Sequence, residues 1–247
     1  MSAGYLPVTW NRNKLIYDAV LLAGVAIYIL TFVRIAPLLQ PAGVMVDEQI
    51  RRMHAFGTCA FLMLTCILCL GPLARLDRRW LPLLYNRRHF GVITCAVALA
   101  HAQYVLGWYF DYSAIPPAVA LLSSNTSFLQ LAGFPFEIFG IGALLILCIL
   151  AATSHDFWLA YLRPAVWKSM HMLIYLAYAL IVAHIAFGAM QTGRHPALVI
   201  VVALCAGAVC SLHLMSALLA PSSSEARATQ ANWVDAGEAA AIPEGRG

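Results

Sequence analysis

Six apolar runs, each about as long as a helix needs to cross the hydrocarbon core of a bilayer, leave this chain little choice of fold. They extend from Leu15 to Ala36, Phe56 to Leu73, His89 to Phe110, Phe136 to Ser154, Trp167 to Met190 and Ala197 to Ala220. In hydrocarbon the backbone must satisfy its own hydrogen bonds, so such runs become helices. Composition agrees: 62% of the residues are hydrophobic and 11% charged, whereas a soluble domain is about a quarter charged. The expectation is an all-α membrane protein, a six-transmembrane helical bundle. Residues 1–14 read as an aromatic and basic lead, 15–220 as the helical domain, and 221–247 as a disordered tail. The first run is too long for a secretory signal and is expected to stay as a span.

Charge sets the orientation. With six spans, one side carries Arg12, Lys14, Arg75, Arg78, Arg79, Arg87, Arg88, Arg163, Lys168, Arg227 and Arg246. The other carries Arg34, Arg51, Arg52 and Arg194. The richer side belongs in the cytoplasm, which places both termini there. The net charge of +4 follows from this topology and gives no reason to expect a nucleic-acid partner. All seven cysteines lie within the apolar runs. Cys66 and Cys69 form a CxxC with no second pair, and read as small apolar filler. No CxxCH occurs, so thioether attachment of a haem is not expected.

The histidines point to chemistry. The run from Trp167 to Gly188 carries His171 and His184, and an imidazole in hydrocarbon requires a partner. The third run carries His89 at its cytoplasmic edge and His101 deeper in. Both runs pass from inside to outside, so depth pairs His89 with His171 near the cytoplasm and His101 with His184 toward the outside. The two pairs would stand roughly 18–20 Å apart along the membrane normal. Haem iron is the metal that neutral imidazoles at such depths suit best. Azimuth opposes a strict four-histidine array: about 140° separates His171 from His184 and about 120° separates His89 from His101. A single outer haem on His101 and His184 needs no such alignment. His213 on the last run is the rival to His89 as an inner ligand. His54 and His155 read as interfacial histidines, and Asp18 as a carboxylate that snorkels or pairs with a neighbour. Arg87 and Arg88 adjoin the third run and suit haem propionates, although topology alone would also place them there. Trp167 either anchors the interface or packs near an inner cofactor. The 111–135 segment has no basic residue and is apolar enough to lie on the membrane, as a cap or as a docking surface.

Two blocks carry a resemblance. GPLAR at 71–75 is followed by Arg87-Arg88-His89-Phe90-Gly91 and by His101, thirteen residues after Arg88. Leu150, Thr153 and Ser154 are followed by Trp167, His171, Tyr175 and His184, with Met170 where the pattern has leucine. Over residues 55–190 the chain resembles the ferric reductase-like transmembrane family, which includes NADPH oxidases and ferric reductases. The haem-binding membrane subunit of the bacterial methionine sulfoxide reductase system looks closest. The resemblance implies a b-type haem, one or two per chain, held from the third and fifth spans of a bacterial inner-membrane protein. It carries His101, His171 and His184, does not carry His89, and admits a flavin as a further cofactor. It also implies electron transfer from a cytoplasmic donor to an outer redox acceptor. No GxGxxG occurs, so electrons are expected from a separate flavin reductase or iron-sulfur protein, or from quinol. Two other readings remain at this point. One is a quinol-oxidising cytochrome b subunit that anchors a soluble redox enzyme. The other is a cofactor-free membrane protein that anchors or assembles partners. No complete catalytic site is legible, so an activity of its own is left open.

Overall fold

The computed structural model describes residues 12–39, 46–130, 132–192 and 196–219. The expected lead as far as Asn11, the tail from Ala220 and Arg194 lie outside the described residues. Among those described there is no strand. The helices are α1 (Arg12–Ile35), α2 (Glu48–Leu76), α3 (Leu81–Tyr85), α4 (Arg87–Tyr112), α5 (Pro117–Ser123), α6 (Glu137–Ala152), α7 (Asp156–Tyr161), α8 (Pro164–His171), α9 (Leu173–Thr192) and α10 (Pro196–Leu218).

Local chemistry sets the boundaries. Asp47 caps α2 by accepting the Gln49 N–H at 2.7 Å, and the helix closes when Asp77 N–H reaches the Leu73 carbonyl. At the end of α6 the hydroxyls of Thr153 and Ser154 return to the carbonyls of Ile149 and Leu150, both at 2.7 Å. Such back-bonding competes with continuing the helix. Met172 separates α8 from α9. Its N–H is shared between the carbonyls of Lys168 and Ser169, a local tightening within one apolar span.

Among the described residues, five spans are both apolar and long enough to cross a membrane: Arg12–Leu38, Glu48–Leu76, Arg87–Tyr112, Pro164–Gly188 and Leu198–Leu218. The fourth expected span, Phe136 to Ser154, is shorter than anticipated. Its helix α6 has 16 residues, about 24 Å of rise against a hydrocarbon core of about 30 Å. Glu137 begins it and the two hydroxyl residues end it, so polar groups trim both ends.

Packing runs α2–α4–α6–α9–α10 and back to α2, a closed ring, with α1 laid against α2 and α4. Within the ring, Phe61, Leu64 and Leu68 of α2 meet Cys95, Leu147, Ala177, Tyr178, Val202 and Val209. Lipid is as apolar as these side chains, so close packing and interhelical hydrogen bonds hold the bundle. Thr65 Oγ1 and Tyr178 Oη lie 3.1 Å apart where α2 faces α9. Tyr28 Oη donates to Thr58 Oγ1 at 2.9 Å and joins α1 to α2. The Asp18 carboxylate meets His89 Nδ1 at 2.9 Å and joins α1 to α4. Asp18 therefore pairs with a neighbour.

Candidate functional site

α4 and α9 stand apart across the ring, yet His101 and His184 meet there. Their ring centres are 6.5 Å apart and their planes are crossed at 79°. His101 Nδ1 donates to the Met53 carbonyl of α2 at 2.8 Å. His184 Nδ1 donates to the Phe136 carbonyl, at the start of α6, at 3.0 Å. A carbonyl only accepts, so each Nδ1 carries the proton and each Nε2 is left as the lone-pair nitrogen. Among the described residues no group of three or more His, Cys, Asp or Glu converges as a metal cage. Two lone-pair imidazoles with no further protein ligand suit a metal whose remaining positions are filled by a macrocycle.

Each ring rests on a glycine. A Cβ at Gly57 would stand 2.9 Å from His101 Nδ1, and a Cβ at Gly140 would stand 2.9 Å from His184 Nδ1. Neither glycine was singled out from the sequence, but a signal for both is there. His101 and His184, Gly57 and Gly140, and Met53 and Phe136 are each 83 residues apart. The same offset relates Phe56 stacked on Tyr104 to Phe139 stacked on Phe187. It also relates the buried neighbours Thr94 and Cys95 to Ala177 and Tyr178. In sequence the repeat reads Phe56-Gly57, Ala60, Leu62, Leu64 against Phe139-Gly140, Ala143, Leu145, Leu147. It continues as Ala100-His101 against Ala183-His184. The site is thus assembled from two equivalent helix pairs, α2 with α4 and α6 with α9.

The repeat breaks at the other end of these helices. His171 corresponds to Arg88, and Met172 to His89, so no histidine matches His171. His171 Nδ1 donates to the Trp167 carbonyl at 3.0 Å, and its Nε2 is buried with no hydrogen-bond partner. The Trp167 indole stacks on the ring at 3.8 Å and donates its N–H to the Thr153 carbonyl at 3.0 Å. Arg87 and Arg88 lie within electrostatic reach of the His171 ring. His89 turns its Nδ1 to Asp18 of α1. His213, the rival inner histidine, is engaged at both nitrogens: Nδ1 donates to the Val209 carbonyl at 2.9 Å and Nε2 accepts from Tyr175 Oη at 3.0 Å. His155 is exposed and caps α7 by accepting the Phe157 N–H. All seven cysteines are free thiols.

Beside α6 and α9, Ser124, Asn125, Gly133 and Phe134 are held by side chains. The buried Glu137 carboxylate accepts from Asn125 and from Ser124. Gln191 of α9 accepts the Gly133 N–H at 3.2 Å and donates to the Phe134 carbonyl at 2.6 Å. Gly133 sits at φ 77°, a conformation that glycine reaches without the steric cost other residues bear.

A family comparison decides what kind of bundle this is: the ferric reductase like transmembrane component matches residues 56–182. The chain belongs to the ferric reductase-like transmembrane family. That membership points to transmembrane electron transfer, in a family that commonly binds haem and is associated with flavin. No match was found among curated proteins or among solved structures. The matched segment runs from within α2 to the middle of α9, and so contains both glycines and His101; His184 follows two residues after its end. Asp18 and the rest of α1 precede it.

Proposed function

We propose that this ferric reductase-like protein is a b-type haem carrier that passes electrons across a bacterial inner membrane. The observation that carries the reading is the His101–His184 pair. Two imidazoles that held one iron, with about 2 Å from metal to each nitrogen and about 1.1 Å from nitrogen to ring centre, would have ring centres about 6.2 Å apart. The 6.5 Å separation matches that requirement, and the two Nδ1 bonds present the correct tautomer. The haem would supply reversible one-electron chemistry at a potential set by its axial ligands and burial. The chain's part is to hold both rings, exclude water and balance charge.

A second haem at His171 is supported by a separate observation, the buried Nε2 with no partner. Trp167 would then pack its ring, and Arg87 and Arg88 would face the propionates. The missing histidine counterpart of His171 favours the single-haem form at minimum, with the inner position differently built.

In this reading α6 completes a six-span bundle, both termini are cytoplasmic, and residues 15–220 form the haem domain. The two sequence blocks favour the branch of the methionine sulfoxide reductase membrane subunit. The basic inner face would receive a separate flavin reductase or iron-sulfur donor, with an outer-side protein as acceptor. Quinol as donor remains the main competing source.

The test is electron transfer in sealed vesicles that hold ferricyanide, with a membrane-impermeant reductant outside. Wild-type protein should reduce the trapped acceptor, and His101→Ala or His184→Ala should not. Equal rates for wild type and both variants would refute the reading.

A further inference from the structure

The 83-residue repeat holds more than the two histidines. In each copy one helix presents a carbonyl and, four residues later, a glycine, to an imidazole on its partner helix. Met53 and Gly57 of α2 do this for His101; Phe136 and Gly140, where α6 begins, do it for His184. Four residues is one helical turn, so the carbonyl and the glycine lie on the same face. The carbonyl fixes the ring's tautomer and one of its edges. The glycine leaves the volume into which the ring lies. The carbonyl bond holds the Nδ1 edge of each ring, and the glycine leaves room for the plane that this edge allows. The two ring planes are crossed at 79°.

We propose that Gly57 and Gly140 are matched positioning residues that lock the imidazoles of His101 and His184 in crossed planes. This rests on the haem reading above, since crossing matters only where both rings ligate one iron. Ring planes decide how imidazole orbitals meet the iron d orbitals. Crossed planes leave two of those orbitals nearly equal in energy, and parallel planes split them. The two cases give different ferric low-spin resonance spectra: a single large-g feature for crossed rings and a three-line rhombic pattern for parallel ones. The potential moves with the same splitting. An added methyl at either glycine meets a ring nitrogen or carbon at about 3 Å, and what it meets is a side chain that can swing. The expected change is therefore a rotated ring within an intact bundle.

The test uses the full chain in detergent and compares wild type with Gly57→Ala, Gly140→Ala and Gly24→Ala. Gly24 lies on α1, outside the family-matched segment, with nothing within 4 Å of an added Cβ, and serves as the control. Haem per chain, circular dichroism, electron paramagnetic resonance of the ferric form and midpoint potential are measured on each. The expected result is a large-g spectrum for wild type and Gly24→Ala. Each of the other two variants should convert to a rhombic spectrum with a shifted potential at unchanged haem content. Loss of haem from both variants with helix content intact would make the glycines necessary for binding and not for ring orientation, and would overturn the lock. Unchanged spectra in both variants would overturn it. A rhombic spectrum from wild type alone would overturn it as well, whatever the variants do. Wild-type protein that takes up no haem would refute the haem reading itself, an outcome distinct from the others.

Discussion

Single nitrogens separate the histidines of this protein more sharply than their positions along the chain do. His213 uses both of its ring nitrogens within the bundle, one on the Val209 carbonyl and one on the Tyr175 hydroxyl. A satisfied ring of this kind is structural, so His213→Ala should leave haem content and spectrum unchanged; loss of haem would reinstate it as a ligand. His171 is the opposite case, with a buried Nε2 and no partner. A buried polar atom left unpaired costs about 1–3 kcal/mol, which asks for a group to occupy it. His171→Ala should lower haem per chain without altering the spectrum of the His101–His184 pair. Retention of the full haem content would limit His171 to a structural role. Sequence depth alone placed His101 opposite His184, and the structure does bring them together. Depth also paired His89 with His171, but it carries no sign of the Asp18 that His89 Nδ1 meets, 71 residues away on another helix.

At the scale of elements, the bundle is held by a few polar joints among closely packed apolar faces. The Thr65–Tyr178 contact joins α2 to α9 inside the ring. Thr65 Oγ1 also donates to the Phe61 carbonyl at 2.9 Å, so Tyr178 Oη is the donor in this pair. Thr65→Val strands that donor and Tyr178→Phe removes one bond while Thr65 keeps the other, so each should destabilise by about 0.5–1.5 kcal/mol in a detergent unfolding titration, Thr65→Val the more. The double variant should cost less than the sum of the two, and strict additivity would contradict a shared bond. The Asp18–His89 bond joins α1 to the ring from outside the family-matched segment. Asp18→Asn should speed amide exchange in α1 and leave haem content as it was; loss of haem would show that α1 supports the site. Five of the six apolar runs were legible as long helices because hydropathy and length suffice for that. The shortened α6 was not, because its ends are set by the Glu137 contacts and by Thr153 and Ser154, which an apolar average does not register. The repeat is written in the sequence as a fixed offset shared by two helix pairs, which the pattern of any one span by itself does not expose.

For the molecule as a whole, one end is basic, the other carries a pinned and largely apolar segment, and the histidine pair lies between two like halves. A basic face attracts an acidic donor through long-range fields that salt screens within about 10 Å at 0.1 M. Reduction by an acidic protein donor should therefore slow as ionic strength rises, while reduction by quinol should not. A salt-independent rate with the protein donor would contradict docking at that face. The central claim is that one haem is held between His101 and His184, and it is tested most directly by a reduced-minus-oxidised visible spectrum with haem quantified per chain. The account predicts a b-type spectrum of at least one haem per chain in the wild type. It predicts that His101→Ala and His184→Ala lose the same spectral component. A wild-type protein with no Soret band when haem is abundant, or a spectrum that survives both substitutions, would contradict it.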